Sequence, residues 1–280
     1  MKDVCGKNAL LTGAAGGLGH YVAHSLAAEK VNLALVDINS EKLDAMKEEL
    51  STYDVRIETY RCDLTDSAAR ATLVEKYLDD FETIDVLINN AGIEWISSYT
   101  DLTEQEIEGM VQINLLAPML LTRLILPHME KQSNGHVVTM SSMGGVKGSP
   151  FSATYAATKA ALIQWSQSIR AEYFETGISA SVICPGFVAE AGMFAVYNRK
   201  APKIAGETTP EEVAAAVLRA IIEDKSQILV SPGGVSVKMM QLVNAINPDL
   251  VTHVLRKRGL HAFYKDQAED NQRSRMKKEE

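Results

Sequence analysis

A tyrosine and a lysine stand four residues apart in Tyr155-Ala156-Ala157-Thr158-Lys159, a segment of helical composition. On a helix that spacing puts both side chains on one face. A phenol with its ordinary pKa of roughly 10 is a poor base at neutral pH, but a nearby ammonium stabilises the phenolate. Such a pair is suited to moving a proton on and off an oxygen. Alone it is also a common surface arrangement, so its company matters. Ser141-Ser142 closes the apolar run His136 to Met140, with Ser142 thirteen residues before Tyr155. Only one of these adjacent hydroxyls can point into a site, and the spacing favours Ser142.

Two features near the N-terminus point to a bound dinucleotide. Thr12-Gly13-Ala14-Ala15-Gly16-Gly17-Leu18-Gly19 follows an apolar run and opens a helical one. Glycines there let a pyrophosphate approach the backbone, and the helix start offers amides and a positive dipole end. Asp37 ends the second apolar run, 24 residues after Gly13. A carboxylate at that place accepts from ribose hydroxyls and repels a 2′-phosphate. Neither the turn nor the residues just after Asp37 supply a neutralising arginine, so NAD(H) is expected over NADP(H).

The elements that must position these residues alternate regularly. Apolar runs at Asn8 to Thr12, Val31 to Val36, Val55 to Tyr60, Asp85 to Ile88, His136 to Met140, Ser179 to Ile183 and Gln227 to Val230 read as seven buried strands separated by helical stretches. That alternation predicts an α/β fold, a Rossmann-type doubly wound and mainly parallel sheet with helices on both faces. Thr103 with Glu106, and Thr209 with Pro210 and Glu212, form capping boxes at helix starts. Between Gly186 and Thr208 no periodicity holds, and a loop of that length reads as a lid, about 187–209. The expected organisation is one domain over 1–234 with a C-terminal extension over 235–280. The extension is apolar and helical near Met239 to Ile246 and disordered over its charged end, Gln267 to Glu280.

With these parts in order the chain resembles the short-chain dehydrogenase/reductase family, in its single-domain branch. Gly13, Gly17 and Gly19 match the family's TGxxxGxG turn, Asn89-Asn90-Ala91-Gly92 its NNAG segment, and Pro185-Gly186 its PG after the sixth strand. The resemblance implies a CH–OH/C=O oxidoreductase in which Ser142 binds the substrate oxygen and Tyr155 is the acid/base. Lys159 then binds the nicotinamide ribose and lowers the tyrosine pKa, while Asn114 holds a water in the proton relay. It implies cofactor contacts from Gly13, Gly17, Leu18, Gly19, Asp37, Asp63, Leu64, Asn90, Ala91, Gly92, Tyr155, Lys159, Pro185, Gly186 and Val188. Asp63 is the acid that meets the adenine. Many relatives carry a threonine four positions after the PG glycine, where this chain has Glu190. The resemblance also implies a homodimer or homotetramer, paired through helices near Glu104 to Lys131 and Ala153 to Thr176. Two other readings keep the same fold: a lyase or isomerase that retains NAD, and a non-catalytic dinucleotide-binding regulator.

Composition narrows the partners. A net charge of -8 over 280 residues argues against nucleic acid. Cys5, Cys62 and Cys184 are too few and too scattered for a disulfide framework, which fits a reducing compartment. The chain starts without a leader-like apolar segment and carries no run of about 18 apolar residues, so a cytoplasmic address is expected. The six histidines form no ligand cluster near the site, and no metal is expected. His20 and His24 share one helix face that reads as solvated. Ile93, Trp95, Val146 and the stretch Phe187 to Tyr197 suggest an apolar, lipid-like secondary alcohol or ketone as substrate. Met239, Met240, Leu242, Val243 and Ile246, with Arg256, Lys257 and Arg258, make membrane contact conceivable, but packing against the body is the favoured reading.

Overall fold

The structure is a computed structural model that describes residues 3–197, 199–232 and 235–279, with the side chains of 235–238 and 276–279 excepted. The expected boundary at 234 lies outside them. In chain order the elements are β1 (Asn8–Thr12), α1 (Gly17–Ala28), β2 (Asn32–Asp37), α2 (Ser40–Leu50), β3 (Ile57–Arg61), α3 (Ser67–Phe81), β4 (Val86–Asn89), α4 (Glu104–Val111), a π-helical turn (Gln112–Leu116), α5 (Ala117–Gln132), β5 (Gly135–Met140), α6 (Met143–Val146), α7 (Ala153–Glu172), β6 (Ile178–Pro185), α8 (Gly192–Ala195), α9 (Pro210–Ile222), β7 (Gln227–Val230), α10 (Val235–Ile246), α11 (Pro248–Lys257) and α12 (Leu260–Glu279).

All seven strands run parallel in one sheet of order β3-β2-β1-β4-β5-β6-β7. Strands buried on both faces need apolar residues at every position, and the alternation divides them. Ala9, Leu11, Leu33 and Leu35 face a core shared with α1, α2 and α9. Leu10, Ala34 and Val36 face one shared with α3 and α5. The order reverses between β1 and β4, and at that switch point the strand ends leave a crevice for ligands. Both predicted capping boxes are formed, Thr103 with Glu106 and Thr209 with Glu212.

The continuous helix from Glu104 to Gln132 is long and apolar enough to cross a bilayer by length and composition. Its apolar side is a core face, with Met110, Leu121, Ile125 and Met129 buried. The charged C-terminal end, expected to be disordered, is α12. Three anchors dock it: Asn271 Nδ2 donates to Ile96 O at 2.8 Å, Arg275 pairs with Glu106 at 2.6 Å, and Arg199 pairs with Asp270. Under it Ile96, Tyr264 and Ala268 form a small core with Phe151, Phe187, Tyr197, Leu260 and Phe263. Its charges face solvent while one stripe packs inward, and overall polarity hid that stripe.

Candidate active site

The glycine turn is shaped by close approach. Gly13 has φ +62°, and a Cβ there would lie 2.8 Å from Ala91 Cα. Thr12, fully buried, joins the turn to the NNAG segment: its Oγ1 accepts from Asn90 N at 3.0 Å and Ala91 N at 3.2 Å. Asn90 Nδ2 donates back to the carbonyls of Thr12 and Gly13, both at 3.0 Å. Helix α1 starts at Gly17 with no side-chain cap on its first amides. Asp37 Oδ2 accepts from Ala15 N at 3.1 Å and Oδ1 from Asn39 N at 3.1 Å, which fixes the carboxylate beside the turn. The sheet brings Arg61 into register with Asp37, and its Nε donates to Ile38 O at 3.3 Å. Sequence reading looked for an arginine only near Asp37 in the chain and missed this one from the next strand. Asp63 lies just beyond, exposed, and its Oδ1 accepts from the amide and hydroxyl of Thr65. Those bonds hold its carboxyl below the usual range. Leu64, beside it, is buried.

At the other end of the crevice, β5 delivers the two serines and α7 delivers Tyr155 and Lys159. Ser141 Oγ donates to Lys159 O at 2.7 Å and so faces the α7 backbone. Ser142 Oγ accepts from Gly144 N at 3.0 Å and hydrogen-bonds the Tyr155 hydroxyl. Lys159, 3% exposed, donates from Nζ to Met140 O at 2.8 Å and lies 5.6 Å from the Tyr155 ring centre. Asn114 sits in the π-helical turn, an insertion that re-aims side chains and is frequent at functional sites. Its Oδ1 accepts from Ile93 N at 2.8 Å, and its Nδ2 donates to Ile93 O at 2.8 Å and Thr158 Oγ1 at 3.3 Å. Asn114 therefore braces the 91–93 segment against α7. Gly92 lies against Asn114 and Lys159: a Cβ there would be 3.2 Å from Asn114 Oδ1 and 3.4 Å from Lys159 Nζ.

Ser141, Ser142, Tyr155 and Lys159 line one cavity of about 550 Å³, which runs from Leu18 of the glycine turn to the C-terminal helices, and Asn114 stands behind its wall. That volume suits a small-molecule ligand. Pro185, Gly186 and Val188 line it where β6 ends. The ends of the lid are pinned together: Ala189 N donates to Thr208 O and Thr208 N to Phe187 O, both at 2.9 Å. In between, Gly192 packs so tightly on Gly17 that a side chain on Gly17 would strike its amide. Glu190 is exposed at φ +64° and lies outside the cavity lining.

The model of the short chain dehydrogenase family matches residues 7–202, and those residues include the glycine turn, Asn114, Ser142, Tyr155 and Lys159. The chain belongs to that family. It is an oxidoreductase acting on CH–OH and C=O groups. A ketoacyl reductase, HetN, of Nostoc sp. (strain PCC 7120 / SAG 25.82 / UTEX 2576) is 36% identical over 273 residues, covering 96% of this chain and 95% of that protein. A match of that length has to enter the C-terminal helices. NAD+-bound xylitol dehydrogenase has a similar structure, with TM-score 0.77 at 25% identity over 83% of this chain and 100% of that one. So does a metagenomic short-chain oxidoreductase in complex with NADP, with TM-score 0.70 at 27% identity over 81% and 97%.

The start of α1 carries amides without a side-chain cap, the Asp37 carboxylate lies beside the turn, and the cavity is continuous from Leu18 to Tyr155. Burial raises the Tyr155 pKa, the nearby Glu94 raises it further, and the Ser142 hydroxyl pulls it down. The same burial lowers Lys159 to about 8, against an upward pull from Glu94. The Lys159 ammonium donates to the Met140 carbonyl and lies over the Tyr155 ring.

Several cavity residues escaped the sequence reading. Glu94 follows the NNAG segment and accepts from Ser152 Oγ at 2.8 Å; burial raises its pKa. Tyr264 and Gln267 come from α12. Their spacing of three, with Leu260, Ala268 and Asn271 on the same face, was the available signal. His20 and His24 meet Glu49 of α2, each at 3.0 Å. The three ligand atoms lie within 4.8 Å of one another, but none of these residues lines the cavity.

Proposed function

We propose that this dehydrogenase interconverts an apolar secondary alcohol and a ketone by hydride exchange with NAD(H), using Tyr155 as the acid/base. One observation carries the reading: Ser142, Tyr155 and Lys159 converge on a cavity that also reaches the glycine turn. When bound, the cofactor supplies or accepts the hydride. Ser142 orients the substrate oxygen and Tyr155 exchanges a proton with it. Lys159 keeps a positive charge behind the pair, and Asn114 braces the segment that carries Gly92. A phenol held protonated by burial is in the form required for ketone reduction. Asp37 beside Ala15 supports NAD(H), although Arg61 lies within one strand of it.

Met143, Phe187, Phe194, Met240, Val243 and Val251 on the cavity wall support an apolar substrate. Exposed Leu120 on α5 and Phe174 beyond α7 support pairing through those helices. The test is Tyr155→Phe. It should lower kcat/KM roughly 100- to 10,000-fold, the range for losing a general acid, with a far smaller loss of NADH affinity. Substantial residual turnover of an apolar ketone removes Tyr155 from the role.

A further inference from the structure

Gln267 is 1% exposed, lines the catalytic cavity, and has no hydrogen-bond partner on either amide atom. A buried amide with neither its donor nor its acceptor satisfied is costly. The helix cannot relieve it by turning. Asn271, one turn later, donates to Ile96 O at 2.8 Å, Asp270 pairs with Arg199, and Arg275 pairs with Glu106. Three residues earlier Tyr264 packs into the small core and hydrogen-bonds Ser149. Glu94 lines the same cavity and is close enough to the Tyr155, Tyr197 and Tyr264 phenols to raise their pKa values.

We propose that Gln267 and Glu94 form a second polar subsite, which recognises a neutral hydrogen-bonding group on the substrate, a hydroxyl or an amide, away from the reacting carbon. This rests on the alcohol/ketone reading of the cavity. A carboxamide presents a donor and an acceptor together, so the group that completes it has to accept and donate as well. An ether or ester would leave Gln267 Oε1 unpaired. An anionic group is disfavoured beside Gln267, because the Glu94 carboxyl lines the same cavity. The substrate thus has an apolar body with one neutral polar group held by the C-terminal helix.

The experiment compares medium-chain methyl ketones with hydroxyketones and ketoamides of graded length, assayed with NADH on the wild-type enzyme and on Gln267→Leu. An unpaired buried amide is worth at least about tenfold in discrimination. At the best length, wild type should therefore favour the polar member by about tenfold or more in kcat/KM, and the ratio should collapse toward one in Gln267→Leu. The ligand-free variant should also melt at a higher temperature, since the substitution removes an unsatisfied group. A purely structural glutamine predicts the reverse, a lower melting temperature and an unchanged ratio, and either result overturns the proposal. If no probe exchanges hydride with NAD(H), the activity reading fails instead. Calorimetric binding of the same probe pairs to wild type and Gln267→Leu then decides the subsite, and equal affinities refute it.

Discussion

Thr12→Val is the substitution that most directly tests how the glycine turn is held. Valine matches threonine in shape but not in chemistry. The Thr12 hydroxyl oxygen accepts from Asn90 N and Ala91 N, and its proton is given to Ile88 O at 3.3 Å. Removing the hydroxyl strands two part-buried amides. At roughly 1 to 2 kcal/mol each, the lower part of the range for unsatisfied donors, the loss is about 2 to 4 kcal/mol. That is a large share of a typical folding stability of about 5 to 15 kcal/mol, and corresponds to a Tm lower by about 4 to 16 °C. The NNAG segment should also drift from the turn, so NADH should bind more weakly. Thr12→Ser retains the oxygen and loses one methyl, costing about 1 kcal/mol. Urea denaturation followed by circular dichroism, with NADH titration by fluorescence, compares the three proteins. A valine variant as stable as the serine variant would refute the reasoning, because the two amides would not then depend on Thr12.

Lys159→Met should abolish activity yet stabilise the fold near pH 7. The folded pKa of about 8 lies below the ordinary lysine value of 10.5, so between these values the unfolded chain binds more protons. Wild-type stability should therefore rise with pH through that window, by an amount on the order of 3 kcal/mol, and the rise should vanish in the variant; urea melts at pH 7, 8 and 9.5 measure both effects. Asp37→Ser should shift the NADH-to-NADPH ratio of kcat/KM toward NADPH by roughly tenfold or more, because it removes a repulsive carboxylate and leaves Arg61 in place. An unchanged ratio would show that Asp37 does not face the adenosine ribose.

Much of this molecule is visible along the chain. The seven strands could be marked because strands buried on both faces have to be continuous apolar runs. The turn could be marked because only glycine tolerates φ +62° with Ala91 Cα so close. Tyr155 and Lys159 are legible because the α-helix itself makes a spacing of four into a contact. What no local rule supplies is the meeting of residues from distant elements. Sheet register sets Arg61 beside Asp37, and Glu49 meets His20 and His24 across two helices. Glu94 and Gln267 face one cavity from positions 173 apart in the chain. The C-terminal end misled for a related reason: its charges resemble those of a disordered tail, and its inward stripe gains a partner only once Ile96, Phe151 and Phe187 stand beneath it. The sequence by itself determined the fold, the family and the pairing of Tyr155 with Lys159 on one helix face, since these follow from local periodicity and fixed spacing. Only the tertiary structure decided which serine faces Tyr155, what Asn114 braces and what closes the substrate cavity, because burial and unpaired polar atoms exist only after distant segments pack.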